Sequence, residues 1–324
     1  MIFDGHSDIW TDVVVKMNQG EKDIIRKYHI DRLKKGKIAG MILVIWIDPP
    51  YTLDPLKRMT EIEKAIQEEI QYCQDELVIV RSFEEMQEAI SKNKIYAFIG
   101  MEGLSGIGKD LGLINHYYDF GARHVGLTWN EENDLATGIT GNPDRGLTHL
   151  GIQAVKIINE KGMLLDVSHL NDRSFWDLAG HTAAPIIASH SNCRALCDVP
   201  RNLTDEQIKK IGELGGLVGV NAFNEFVSRD REKQTLETLA IHAAHMADLI
   251  GPEHVAIGMD YCEFIDHDTL SSFSSGDTYY TKGLEDASKT PDFLLELERL
   301  GFSKSEIEGI AYKNYHRIIK QIIG

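Results

Sequence analysis

Residues 162–169 read GMLLDVSH, and residues 185–190 read PIIASH. Each is a short apolar run suited to a strand buried on both faces, and each stops on a histidine. Six more runs of this kind lie to either side: Ile2–His6, Met41–Ile47, Tyr96–Met101, His124–Trp129, Leu217–Phe223 and His254–Asp260. With Met163–His169 and Pro185–His190 they make eight. Between them stand segments of helical spacing with charged outer faces, such as EIEKAIQEEIQYC at 61–73 and TPDFLLELERLG at 290–301. Alternating buried strands and helices predict a parallel sheet covered on both sides, and eight such units predict an α/β fold of the (β/α)8 TIM-barrel type. No Pro/Ser-rich linker interrupts the pattern, so residues 1–324 are expected to form a single domain.

Composition narrows the function classes. The chain carries 34 Lys+Arg against 50 Asp+Glu, a net charge of −16 with His neutral. That balance disfavours nucleic acid and anionic membrane surfaces as partners. No run reaches the roughly eighteen apolar residues of a membrane span, and the opening MIFDGHSD lacks the basic segment and apolar core of a secretory signal. A cytoplasmic location is therefore expected. Cys73, Cys193, Cys197 and Cys262 form no CxxC pair, so neither a disulfide framework nor a cysteine zinc knuckle is expected. Cys193 and Cys197 read as a reduced, buried pair.

The chemistry lies at the ends of the runs. His6, Asp8, Glu102, His169, His190 and Asp260 all fall at or just past the carboxy ends of their strands, the edge where barrels build active sites. Within DGHSD, His6 and Asp8 are two apart on an extended strand and can aim at one point. Adding Glu102 of GMEG and the two imidazoles gives five metal-compatible groups, too many for one tetrahedral zinc and suited to two ions sharing a bridge. Taken singly, each has a plainer reading: a hydrogen-bonded histidine, a helix-capping Glu102, a surface Asp8. Convergence of independent strands on one chemistry at one edge favours the metal reading. Asp4 and Asp166 fit supporting roles, accepting the free N–H of ligand imidazoles. His242 and His245 have helical spacing and are expected on a solvated face, while His124 and His254 open their runs and are expected at the opposite, stability face of the barrel. The irregular stretch from Cys262 to Lys282, containing SSFSSGDTYYTKG, reads as an active-site loop.

These motifs bring a family into view. In order along the chain, DGHSD, HIDRLKKGKIAGMILVIW, GMEG, LTWNEEN, GMLLDVSH, SHSNCRALCDVPRNLTDEQI, GMD and GLEDASKTPDFLLEL resemble the membrane (renal) dipeptidases of the metal-dependent amidohydrolase superfamily, nearly end to end. The resemblance implies an amidohydrolase-like barrel acting on a small dipeptide, including those with a D-residue at the carboxy end, through two zinc ions or other divalent metals. By it, His6, Asp8 and Glu102 hold one ion, and Glu102, His169 and His190 the other. Asp260 moves the proton from the attacking water to the departing amine, and Arg201 grips the substrate's terminal carboxylate. Without the resemblance, Arg201 reads as a surface arginine before the capped helix NLTDEQI.

Two departures stand out. Many relatives carry a histidine where this chain has Trp129, a residue thought to bind the carbonyl oxygen in the transition state. Trp129 can donate but cannot titrate, so either another group such as Asn130 substitutes or the metals carry more of the charge stabilisation, with core packing as the plainer reading of Trp129. After Asp260 the chain reads Tyr-Cys-Glu rather than the family's usual DFDG. The rivals to a dipeptidase are another amidohydrolase, a lactonase or an N-acyl amino acid deacylase, and a catalytically silent metal-binding barrel. The sequence leaves the oligomeric state open, a homodimer being one option.

Overall fold

The computed structural model describes residues 1–324 apart from Ser275 and Asp277, which lie within the loop expected to border the site. The strands are β1 (Ile2–Ser7), β2 (Ile38–Trp46), β3 (Leu77–Ile79), β4 (Ile95–Glu102), β5 (Ala122–Gly126), β6 (Leu164–Asp166), β7 (Ile186–Ala188), β8 (Leu217–Val220) and β9 (Val255–Ile257). All pairings are parallel, in the order β1-β2-β4-β5-β6-β7-β8-β9. This is the expected (β/α)8 TIM barrel, with helices such as Pro55–Cys73, His149–Glu160 and Leu236–Ile250 covering the strands. The ninth strand, β3, was not among the eight runs; it pairs only with the first half of β4 and stays outside the barrel path. No helix among the described residues is long and apolar enough to cross a membrane.

Alternation along each strand sorts side chains into two layers. Ile42, Val44 and Trp46 of β2 and Tyr96 and Phe98 of β4 join Phe3, Leu164, Ile187, Leu217 and Ala256 in the barrel interior. Their neighbours Met41, Leu43, Ile45, Ala97 and Ile99 pack outward against the helices. Tyr315, from the last helix, enters this interior, where a Cβ on Gly5 would lie 1.9 Å from its hydroxyl oxygen; only glycine fits there. Continuing the same parity upward places Gly100 and Glu102 of β4, His124 of β5 and Asp166 of β6 inside. A β-carbon on Gly100 would stand 2.6 Å from His124 Nδ1, so glycine there makes room for the imidazole. His124 is thus buried within the barrel beneath the site, not at the stability face. His242 also departs from expectation: it is fully buried and bonded to Cys193 N and Val227 O rather than solvated.

No ladder joins β9 to β1 among the described residues. Asp4 Oδ1 closes the seam instead, accepting from Met259 N at 2.9 Å and more weakly from His6 N at 3.4 Å. Its partners are therefore backbone groups and not the ligand imidazole anticipated for it. Burial pushes its carboxyl up to about 7, so at pH 6 it is mostly the neutral acid. Asp4→Ala strands a buried N–H and should cost about 1–3 kcal/mol. Asp4→Asn, which keeps the accepting oxygen and mimics the neutral acid, should cost less than half of that at pH 6. Urea unfolding of the two variants measures the difference.

Candidate metal centre

The carboxy edge of the barrel gathers the expected residues into one buried cluster. His6 comes from β1, where the register shifts between Asp4 and Ser7, and Asp8 follows at the start of the helix Ile9–Asn18. Glu102 ends β4, and the next residue, Gly103, takes φ +85° with a β-carbon position only 2.7 Å from Trp129 N, so GMEG needs its second glycine. His169 and Asp260 sit just past β6 and β9 with φ of 68° and 57°, left-handed backbone that turns each side chain back over the barrel mouth. His190 lies two residues beyond β7.

Glu102 Oε1 is the hub. It stands 2.9 Å from His169 Nε2, 3.4 Å from His190 Nε2 and 3.4 Å from His6 Nε2. His6 Nε2 is also 3.5 Å from Asp8 Oδ2 and 3.9 Å from Asp260 Oδ1. The imidazoles of His6 and His190 stack with centroids 3.7 Å apart, and the Nε2 atoms of His169 and His190 face each other at 3.0 Å. Both ring nitrogens of His6 and Asp8 Oδ1 are buried without a hydrogen-bond partner. Facing Nε2 atoms and orphaned ligand atoms beside converging carboxylates are the arrangement a cation would satisfy. The groups fit that role chemically, since imidazole and carboxylate suit zinc and its divalent neighbours. Two overlapping triads, His6–Glu102–His190 and His6–Asp8–Asp260, can each bring one ligand atom per residue to within 4.8 Å of the others.

Electrostatics points the same way. Burial raises Glu102 to about 8, with Asp8 and Asp260 adding to the rise against the pull of His6. Asp260 is raised by burial and by Asp8. Against its own burial, His6 is held well above the usual imidazole range by Glu102 and Asp8. His169 and His190 are pushed down by burial and by the charges of Arg201 and His6, which leaves them neutral and able to donate a lone pair.

The supporting residues separate into distinct tasks. Asn130 Oδ1 lies 2.8 Å from His169 Nδ1. Asp166 accepts four hydrogen bonds: from Ser168 N, Ser189 N, His124 Nε2 and the Ser189 hydroxyl. These overcome burial and hold it well below the usual carboxylate range. Ser189 Oγ also meets His190 Nδ1 at 2.6 Å. Asp260 Oδ2 accepts from Asn221 Nδ2 at 2.9 Å. Asn221 and Ser189 were missed in the sequence, although Asn221 sits near the end of the seventh run and Ser189 beside His190. Arg201 is buried, with Nη1 on Ser191 Oγ and Nη2 on the His190 carbonyl, while its Nε–H has no partner. Trp129 is half-buried, 5.3 Å from the ring of Trp46 and edge-on to Phe273 at 5.2 Å. These three rings wall a cleft whose floor includes Asp8, Glu102 and Asp260. Phe273 comes from the stretch between Cys262 and Lys282, so that loop borders the cleft.

Comparison with known proteins gives a consistent answer. A family model described as membrane dipeptidase (peptidase family M19) matches residues 1–323. An uncharacterized protein from the pqqA 5′ region of Klebsiella pneumoniae is 34% identical over 248 residues, 72% of this chain and 85% of that protein. An uncharacterized dipeptidase of Schizosaccharomyces pombe is 30% identical over 307 residues, covering 90% of this chain and 71% of the other. In three dimensions, a metallo peptidase from Rhodobacter sphaeroides, solved with a phosphinate mimic of the dipeptide L-Ala-D-Ala, superposes with a TM-score of 0.86 at 23% identity, over 99% of each chain. At that identity the match speaks for the fold.

The raised carboxyl of Glu102 has a consequence for any cation the cluster holds. A ligand carboxylate must be deprotonated and a ligand imidazole neutral, so at neutral pH protons compete with the metal at both Glu102 and His6. Each proton displaced weakens the effective affinity by about tenfold per pH unit below the pKa of its group. Titration with zinc against a competing chelator between pH 6 and 9 should show affinity rising with pH across the range.

Proposed function

This chain belongs to the membrane dipeptidase family, peptidase family M19, and from that premise we propose that it hydrolyses dipeptides at a centre of two zinc ions. The observation that carries the proposal is Glu102 Oε1, buried and within 3.4 Å of three imidazole Nε2 atoms, one on β1 and the others just past β6 and β7. One carboxylate shared among ligands on both sides is the form a two-metal bridge takes. His6 and Asp8 complete one position, His169 and His190 the other. When bound, the pair of ions supplies a polarised scissile carbonyl and a water acidic enough to attack it near neutral pH.

The remaining work belongs to side chains. Asp260, next to His6 and anchored by Asn221, accepts the proton of the attacking water and returns it to the departing amine; a carboxyl raised by burial is suited to carrying that proton. Arg201 is a buried guanidinium with no ion pair among the described residues, and burying such a charge unpaired is costly. A substrate carboxylate meeting its free Nε–H removes that cost and fixes the peptide's carboxy end. Asn130, with its oxygen directed to His169 Nδ1, retains an amide N–H for the substrate carbonyl, and the Trp129 ring walls the adjacent cleft. The Rhodobacter sphaeroides structure holds a mimic of L-Ala-D-Ala, which supports testing dipeptides with a D-residue at the carboxy end.

Two measurements test the reading. Asp260→Asn should keep about two metal ions per chain while slowing turnover roughly 10²–10⁴-fold; loss of metal in this variant makes Asp260 a ligand instead. For recognition, Arg201→Ala and amidation of the dipeptide should each strongly depress kcat/KM, and together add little, because both delete one contact. Equal hydrolysis of free and amidated dipeptides by the unaltered enzyme removes Arg201 from this role, and no dipeptide turnover by metal-loaded protein removes the dipeptidase reading.

A further inference from the structure

Beneath the candidate centre runs a buried chain of polar contacts that the reaction does not use. His124 Nε2 meets Asp166 Oδ2 at 2.8 Å, the Ser189 hydroxyl bonds the same oxygen, and Ser189 Oγ lies 2.6 Å from His190 Nδ1. Counting protons along it decides the state of His190. Asp166 receives two backbone N–H groups on Oδ1 and His124 and Ser189 on Oδ2, so it is a saturated acceptor with no proton to give. The single hydroxyl proton of Ser189 must therefore point at Asp166. With that proton committed, Ser189 Oγ can only accept from His190, which places the ring proton on Nδ1. Nε2 is left with a bare lone pair, directed toward Glu102 Oε1 and His169 Nε2.

We propose that Ser189, oriented by Asp166 and His124, is a positioning residue that fixes His190 in the Nδ1–H tautomer and so prepares its Nε2 to hold a metal ion. This rests on His190 being a ligand, as in the proposed function, and goes beyond it by naming what sets the ligand's state. The three imidazoles of the centre differ in this respect. His190 leans on an anionic carboxylate through a hydroxyl, His169 on the neutral amide of Asn130, and His6 has neither ring nitrogen hydrogen-bonded. A carboxylate reached through one hydroxyl also makes the ring more basic toward a cation than an amide does. The arrangement depends on the interior parity of three adjacent strands, which brings His124 of β5 and Ser189 just past β7 within hydrogen-bond reach of Asp166 on β6. Gly100 on β4 leaves the space His124 occupies.

The test compares Ser189→Ala and Ser189→Thr in the full chain, with His190→Ala as control. Removal of a partner that orients a metal-bound histidine lowers metal affinity by about 10–100-fold. Ser189→Ala should show that loss for one of two zinc ions in a chelator competition, and Ser189→Thr, which keeps the hydroxyl, should recover most of it. In zinc-loaded protein carrying 15N-histidine, the His190 Nδ1–H should exchange slowly with water and become fast in Ser189→Ala, while that of His169 is unchanged. Wild-type affinity and exchange in Ser189→Ala, with an ion lost in His190→Ala, overturns the positioning role alone. Equal impairment of the alanine and threonine variants assigns the effect to packing and overturns it as well. If His190→Ala keeps both ions, the ligand assignment itself fails.

Discussion

The carboxylate of Asp166 lies inside the barrel with no route to water, so its charge has to be satisfied by what the neighbouring strands bring to it. It receives four donors, from β5, from the turn after β6 and from the residue following β7. This couples fold and site. Removing any strand from register would leave a buried anion short of a donor, a defect of about 1–3 kcal/mol or more for a charged group. The same satisfaction fixes the Ser189 hydroxyl, and through it one ring of the cluster above. Packing alone could align β5, β6 and β7 along the barrel in several ways, but hydrogen bonds of defined direction at one level select one.

Above that level the chemistry reverses. Asp8, Glu102 and Asp260 are three carboxylates in a pocket whose protein cations are His6 and the guanidinium of Arg201, and burial raises both Glu102 and Asp260. A cluster of this kind is held together by the surrounding structure rather than holding it, and it gains by taking up positive charge. The two polar layers therefore have opposite characters. The lower one is complete in itself, whereas the upper one leaves ligand atoms of His6 and Asp8 without partners.

How much of this the sequence discloses follows from which interactions are local. Eight strands are legible because a strand buried on both faces is an unbroken apolar run, and the ligand-type residues are legible because they stand where those runs end. The runs overestimate strand length: Met163–His169 contains a strand of only Leu164–Asp166, since Leu170 N turns back to bond the Val167 carbonyl and His169 takes left-handed backbone. The three-residue β3 escapes because it is too short to show a period, and two of its three residues are only half-buried. His124 was misplaced by its position at the start of a run; its level in the barrel is set by where β5 registers against β4, a pairing between distant segments. His242 misled for a related reason, because the face of its helix that meets Cys193 is defined by the loop after β7. Asn221 and Ser189 were invisible as site residues since their partners, Asp260 and Asp166, are 39 and 23 positions away.

Left-handed backbone at His169 and Asp260 carries an implication for engineering the enzyme. Histidine and aspartate tolerate such angles better than branched residues do, yet glycine or asparagine would adopt them with less strain. Asp260 also holds a buried carboxyl that burial disfavours. Given the roles proposed for His169 and Asp260, replacements selected there for heat resistance alone, without a screen for turnover, would yield robust but inert barrels. On those proposed roles, thermal robustness and catalytic competence compete at these two backbone angles, so stabilising work on this scaffold belongs in the outer helical layer, away from the mouth of the barrel.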